Sequence, residues 1–151
     1  MSSVFHARVP CRFDALAAAD GVLSAWLEEA GCPGGVVYAM RLALEELGTN
    51  VIKYGLEEPD GHEIEVEVWE DAGGWVMRVT DDGRPFNPLE AATPRTDAGL
   101  EEREVGGLGL HLVRRMFDET NYERTEGKNR LVMRKRFVKA SPPHPHSDRL
   151  G

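Results

Sequence analysis

A carboxylate, an amide and an ammonium recur at helical spacing in the stretch L-A-L-E-E-L-G-T-N-V-I-K-Y-G, residues 42 to 55, as Glu46, Asn50 and Lys53. At i, i+4 and i+7 they fall in one line on a helix. Such a row suits the grip on a metal–phosphate group. Asn50 can offer an oxygen to Mg²⁺, Lys53 a positive charge to phosphate, and Glu46 a proton acceptor. The same three residues also describe an ordinary solvated helix face, and this stretch alone does not separate the two readings.

Two later segments carry further chemistry. In T-D-D-G-R-P-F-N-P, Asp81 stands just past a strand and Gly83 lets the backbone turn tightly away. A carboxylate placed there is a good acceptor for an exocyclic amino group such as adenine's, although D-D-G alone is merely a turn. In V-G-G-L-G-L-H-L-V-R-R-M a glycine cluster runs into a helix, where unpaired N–H groups and the dipole welcome phosphate. This segment lacks the G-K-[ST] of a P-loop and follows a loop instead of a strand, so neither common nucleotide fingerprint fits.

The elements that must position these groups are legible from period. Val37, Met40, Leu44, Leu47, Val51 and Tyr54 make an apolar stripe beside the polar line of the central helix, which Gly55 is expected to end in a left-handed conformation, as Gly31 ends the helix before it. That earlier helix runs to about Ala30 with Asp14 as its cap and Leu16, Ala19, Leu23, Trp26 and Leu27 inward. Val4 to Val9 alternates as a strand. Glu63 to Trp69 and Trp75 to Thr80 alternate around D-A-G-G as an antiparallel hairpin. Leu108 to Glu119 resumes helical spacing, and Thr120 to Arg124 with Arg130 to Val138 form a second hairpin around E-G-K-N. Residues 84 to 106, rich in Pro, Gly and charge, read as a mobile functional loop.

Five strands mostly in hairpins and three helices imply an α+β two-layer sandwich, with the helices on one face of a mixed, largely antiparallel sheet. The single domain spans residues 1–138, and 139–151 form a disordered tail. Of the 151 residues, 41% are hydrophobic and 29% charged, and no apolar run approaches a membrane span. The net charge of −8 repels nucleic acid as a bulk partner. The start, M-S-S-V-F-H-A-R, lacks a signal peptide's apolar core, and Cys11 and Cys32 lack metal-ligand spacing, so reduced thiols and a cytoplasmic location are expected.

In this order and at these separations the three segments resemble the GHKL ATPase superfamily, whose members share the Bergerat ATP-binding fold. Its E-x-x-x-N matches Glu46 and Asn50, its D-x-G Asp81 and Gly83, and its G-x-G Gly107 and Gly109. The likeness covers residues 4 to 138. D-D-G-R-P-F-N-P and G-G-L-G-L-H-L-V are most similar to the small anti-sigma factor serine/threonine kinases.

That resemblance implies an ATP- and Mg²⁺-dependent protein kinase with Glu46 as general base and Asn50 as the Mg²⁺ ligand. Asp81 would bind the adenine amino group, with Gly83 shaping its turn and Lys53 and Phe86 among the nucleotide contacts. Gly107, Leu108 and Gly109 would supply backbone donors to phosphate, and residues 84–106 the lid over ATP. Its implied partners are a STAS-type anti-sigma factor antagonist as substrate, an alternative sigma factor as target, and a second copy in a homodimer. No dimer seam is legible.

The chain departs from the histidine kinases at Pro85, where they have a second glycine, yet Asn50, Lys53 and Tyr54 match their N-x-x-K-[FYH]. A histidine kinase-like domain acting on a separate partner is therefore one alternative. A binding module that uses ATP only to set its conformation is another. The ATPase part of a topoisomerase- or chaperone-like assembly would need transducer domains that 151 residues do not hold.

Overall fold

The computed structural model describes residues 3–90 and 107–137. Strand β1 spans Val4–Pro10, helix α1 Phe13–Glu29 and helix α2 Gly34–Asn50, which runs on into a single π turn, Val51–Gly55. Strands β2 (Glu63–Asp71) and β3 (Gly74–Asp81), helix α3 (Gly107–Met116), and strands β4 (Glu119–Thr125) and β5 (Lys128–Arg136) follow. The sheet order is β1-β2-β3-β5-β4, so β3 and β5, distant in sequence, pair at the centre. Every described pairing is antiparallel, which narrows the expected mixed sheet.

Alternation decides which face each strand buries. Ile64, Val66 and Val68 of β2, Trp75, Met77 and Val79 of β3, and Leu131 and Met133 of β5 all point to one side. Against them the helices set Leu16, Leu23 and Leu27, then Met40, Leu44 and Leu47, then Leu110 and Val113, with Phe117 just past the last helix. Trp26 of α1 is the aromatic joint, with ring centroids 5.8 Å from Phe5 and 6.4 Å from Trp75 in an edge-on arrangement. At Gly48 the two long helices come together so closely that a Cβ would stand 2.6 Å from Leu16 Cδ1.

Several boundaries differ from the sequence reading. Asp14 is not the cap of α1: the helix begins at Phe13, and the Asp14 carboxylate accepts from the Ala15 N–H and the Arg12 guanidinium. Gly31 does take a left-handed φ of 77°, but Gly55 does not, because a π turn and an extended Leu56 end the central helix instead. The last helix stops at Met116 and Glu119 opens β4.

The second hairpin turns on two residues, Glu126 (φ 51°) and Gly127 (φ 76°), where the sequence pattern suggests the four of E-G-K-N. Two consecutive positive φ values match the right-handed twist of the flanking strands, so the tight turn wins. Lys128 and Asn129 thereby become part of β5, and Asn129 lands directly opposite Asp81. The expected strand end at Val138, the tail 139–151 and the greater part of the lid, 91–106, lie outside the described residues.

Candidate functional site

A cavity of about 310 Å³ opens between the end of α2 with its π turn and the centre of the sheet. Its apolar walls come from Leu47 and Val51 on the helix and from Val79 and Leu131 on β3 and β5. Of the residues singled out by sequence, Asn50, Lys53, Asp81 and Phe86 line it. Gly83 is buried at its rim and braces it. The Arg84 N–H donates to the Gly55 carbonyl at 2.9 Å, and a Cβ on Gly83 would stand 2.7 Å from that same oxygen. Only glycine allows the turn after β3 to dock so closely on the π turn.

The π turn also reshapes the polar line of the central helix. Widening from i→i+4 to i→i+5 hydrogen bonding turns the backbone after Asn50, so Glu46, Asn50 and Lys53 no longer form a straight row. Lys53 is exposed at the mouth of the cavity, whereas Asn50 is only 9% exposed and inside it. Glu46 is not part of the cavity wall. Its carboxylate lies against the first turn of α3, where a Cβ on Gly109 would overlap it. A side chain at 109 would therefore push the Glu46 carboxylate out of this position. Gly107 opens that helix and Leu108 follows it within the first turn.

The electrostatics separate three oxygens. Asn50 Oδ1 is buried and has no hydrogen-bond partner among the described residues. An orphaned buried carbonyl is a costly feature in a folded protein and is open to a water, an ion or a ligand; His111 Nδ1 and Arg130 Nε are in the same state. Asp81 is mostly buried, and burial raises its pKa most. Asp82 pushes the same way, while the Asn129 amide, the Gly83 N–H and the Arg124 guanidinium pull it back down. The described donors to Asp81 both reach Oδ1, from Gly83 at 2.8 Å and Asn129 Nδ2 at 3.0 Å. Its Oδ2 accepts no bond from the described residues and remains for an incoming donor. At Glu46 burial again raises the pKa most, helped by neighbouring Glu45 and opposed by Lys53. A carboxyl moved up toward neutrality is better suited to taking a proton than an ordinary one.

Sequence reasoning missed a second set of residues. By sequence Asn129 falls in a turn, and Tyr122 and Arg124 lie on a strand with no chemical signal of their own. Tyr122 and Arg84 line the cavity beside Asn129, and the Arg124 guanidinium donates to the Gly83 carbonyl at 2.7 Å. One signal was available: G-K-N after a glutamate fits a two-residue E-G turn, which places Asn129 in the strand.

The two-layer α/β sandwich thus holds an apolar cavity lined by Asn50 and Asp81, each with an oxygen unpartnered among the described residues. The histidine kinase-like ATPase domain model matches residues 9–135, and the chain belongs to that family. The serine-protein kinase RsbW of Listeria monocytogenes is 29% identical over 119 residues, covering 75% of this chain and 74% of that protein. An anti-sigma F factor of Thermoanaerobacter is 26% identical over 99 residues, covering 66% and 68%. The crystal structure of the RsbU and RsbW domains of a Mycobacterium tuberculosis protein superposes with a TM-score of 0.63 at 16% identity. It covers 89% of this chain and 32% of that one, so the chain spans about a third of its length. Among the described residues no helix is long and apolar enough to cross a membrane.

Proposed function

We propose that this chain is an ATP-dependent protein serine/threonine kinase that phosphorylates a STAS-type anti-sigma factor antagonist in the cytoplasm and holds an alternative sigma factor as its second partner. The observation that carries the reading is a pair of oxygens, Asn50 Oδ1 and Asp81 Oδ2, on residues lining one apolar cavity and unpartnered among the described residues. They differ in kind, as two ends of a nucleotide do. The Asp81 carboxylate oxygen suits the adenine amino group, with Phe86, Val79 and Leu131 offering apolar surface to the base.

The buried amide oxygen fits a hard cation. No cluster of three acidic, His or Cys side chains stands by it among the described residues, and Mg²⁺ needs none, since it keeps waters and takes phosphate oxygens as its other ligands. Asn50 would hold it, and the bound ion would neutralise phosphate charge. Lys53 at the mouth would face the same phosphates, and the backbone of Gly107, Leu108 and Gly109 would donate to them. Glu46, packed on that first turn, would take the proton of a seryl or threonyl hydroxyl. The hydroxyl oxygen would bond to the γ-phosphorus, the bond to the β-phosphate oxygen would break, and ADP would leave. Residues 84–106 would close over the nucleotide.

The test is to incubate the protein with γ-labelled ATP, Mg²⁺ and a STAS protein encoded beside it, and to follow label on serine or threonine. The expected result is transfer dependent on both Mg²⁺ and the partner. Tight binding of nucleotide and partner with no transfer would replace the kinase with a nucleotide-gated binding module.

A further inference from the structure

Asn129 spends all four of its hydrogen-bonding capacities on the site. Its Nδ2 donates to Asp81 Oδ1 at 3.0 Å and to the Arg84 carbonyl at 2.8 Å. Its Oδ1 accepts from the Tyr122 hydroxyl at 2.6 Å and from the Phe86 N–H at 3.2 Å. An amide side chain has two donors and two acceptor lone pairs, so nothing is left over.

Two of the partners cannot change role. The Phe86 N–H can only donate and the Arg84 carbonyl can only accept, so turning the amide over would set donor against donor and acceptor against acceptor. The backbone of residues 84 to 86 therefore fixes which end of Asn129 faces Asp81. The donor end meets the carboxylate and engages one oxygen, Oδ1, which the Gly83 N–H also holds. Asn129 is itself buried, at 7% exposure, and sits opposite Asp81 in the register of β3 with β5, so it has little room to swing.

We infer that Asn129 is a positioning residue for base recognition: it clamps Asp81 so that Oδ2 faces the cavity as a fixed acceptor, and it ties that carboxylate to the first residues of the loop at Arg84–Phe86. The inference rests on the ATP reading given above. It adds that selectivity for a 6-amino purine depends on a residue whose side chain need not touch the base. A carboxylate free to rotate would present either oxygen at varying angles, and a hydrogen bond weakens steeply as its angle departs from linear. Orientation is what Asn129 supplies.

The readout is the ratio of affinities for ADP and IDP, measured by calorimetry with Mg²⁺. The two nucleotides differ at the 6-amino group that Asp81 would read. Wild type should prefer ADP, and Asn129→Leu should lower the ADP:IDP ratio by about tenfold, the scale of one misdirected charge-assisted hydrogen bond, with IDP affinity little changed. A merely structural role would weaken both nucleotides together and leave the ratio alone, which would overturn the inference. Equal ADP and IDP affinities in wild type would instead overturn the base-reading role of Asp81 itself. Should the leucine variant not fold, the wild-type protein carries the test by NMR. Both Asn129 side-chain amide protons are hydrogen-bonded, so they should exchange slowly with solvent before nucleotide is added. Fast exchange of those protons would remove the clamp.

Discussion

The two faces of one sheet treat most of their polar groups differently. On the face away from the helices most charges meet partners, although Arg130 Nε is buried without one among the described residues. Arg78 and Glu67, opposite each other in the register, form a two-pronged pair at 2.8 and 2.9 Å, and Arg78 lies 5.3 Å above the Trp69 ring. Arg134 grips Asp71 at 2.6 and 3.0 Å, and His6 meets Glu65 at 2.7 Å. On the helix side of the same strands, Asn50 Oδ1 is buried without a partner and Asp81 keeps one oxygen unused by the described residues. Both faces have charge and both have apolar neighbours. Since Arg130 Nε on the open face is also unpartnered, what distinguishes the candidate site is that its unsatisfied atom, Asn50 Oδ1, belongs to a residue lining an apolar cavity.

The comparison breaks most sharply at Glu46. Glu46→Gln keeps the shape that packs on Gly109 and removes the proton acceptor. Phosphate transfer should fall by about 10²–10⁴-fold while ATP affinity holds, read by labelled transfer and calorimetry on the same preparation. Equal losses in binding and transfer would make Glu46 a packing residue.

Asn50→Leu tests the orphan directly. It replaces an unsatisfied amide by an apolar group of similar size, so the free protein should melt higher, by roughly 1–3 kcal/mol of stability. The same variant should lose the rise in melting temperature that Mg-ATP gives wild type. A variant that melts lower without ligand would show that Asn50 is satisfied and the contrast between the faces is false.

Asp81 comes next. Burial raises its folded pKa, so its contribution to stability is fully present below the ordinary carboxyl range and is lost as pH rises through the raised value. Asp81→Asn should therefore stabilise the free protein at neutral pH, with the gain fading as the solution is acidified. It should also weaken ATP binding by about 1–3 kcal/mol and erase any preference for ATP over GTP. A stability difference that does not change with pH would contradict the buried charge.

The smallest effect belongs to the open face. Asp71 is held down to about 2, first by its hydrogen bond with Arg134 and next by the Gly73 N–H, so the pair contributes above the ordinary carboxyl range and is lost as pH falls toward that value. Its side chain is 37% exposed, and solvent and salt screen such pairs. Asp71→Asn should lower the melting temperature by a few degrees at most, less in high salt, with ATP affinity untouched. A large or salt-independent loss would mean that the open face is more than a paired surface.

How much of this was legible in the chain follows from what is local. Alternation in Glu63–Trp69 and three-and-four spacing around Met40, Leu44 and Leu47 are local, because period 2 and period 3.6 each expose one face whatever the rest of the chain does. The α+β sandwich, the first hairpin, and Asn50 beside an apolar stripe came from such patterns, and Asp81 from its place between a strand end and a glycine turn. The π turn, the docking of Gly83 on the Gly55 carbonyl, the contact of Glu46 with Gly109 and the place of Asn129 did not. Each depends on atoms brought together across the fold, as with Asn129 and Asp81, which are 48 residues apart. A two-residue difference in one turn decided whether Asn129 faced solvent in a loop or Asp81 in the core. Sequence determined which residues are polar and which faces they share. Only tertiary structure decided which of those polar atoms find partners, because hydrogen-bond satisfaction is a property of register and close packing, and neither is written in any single stretch of chain.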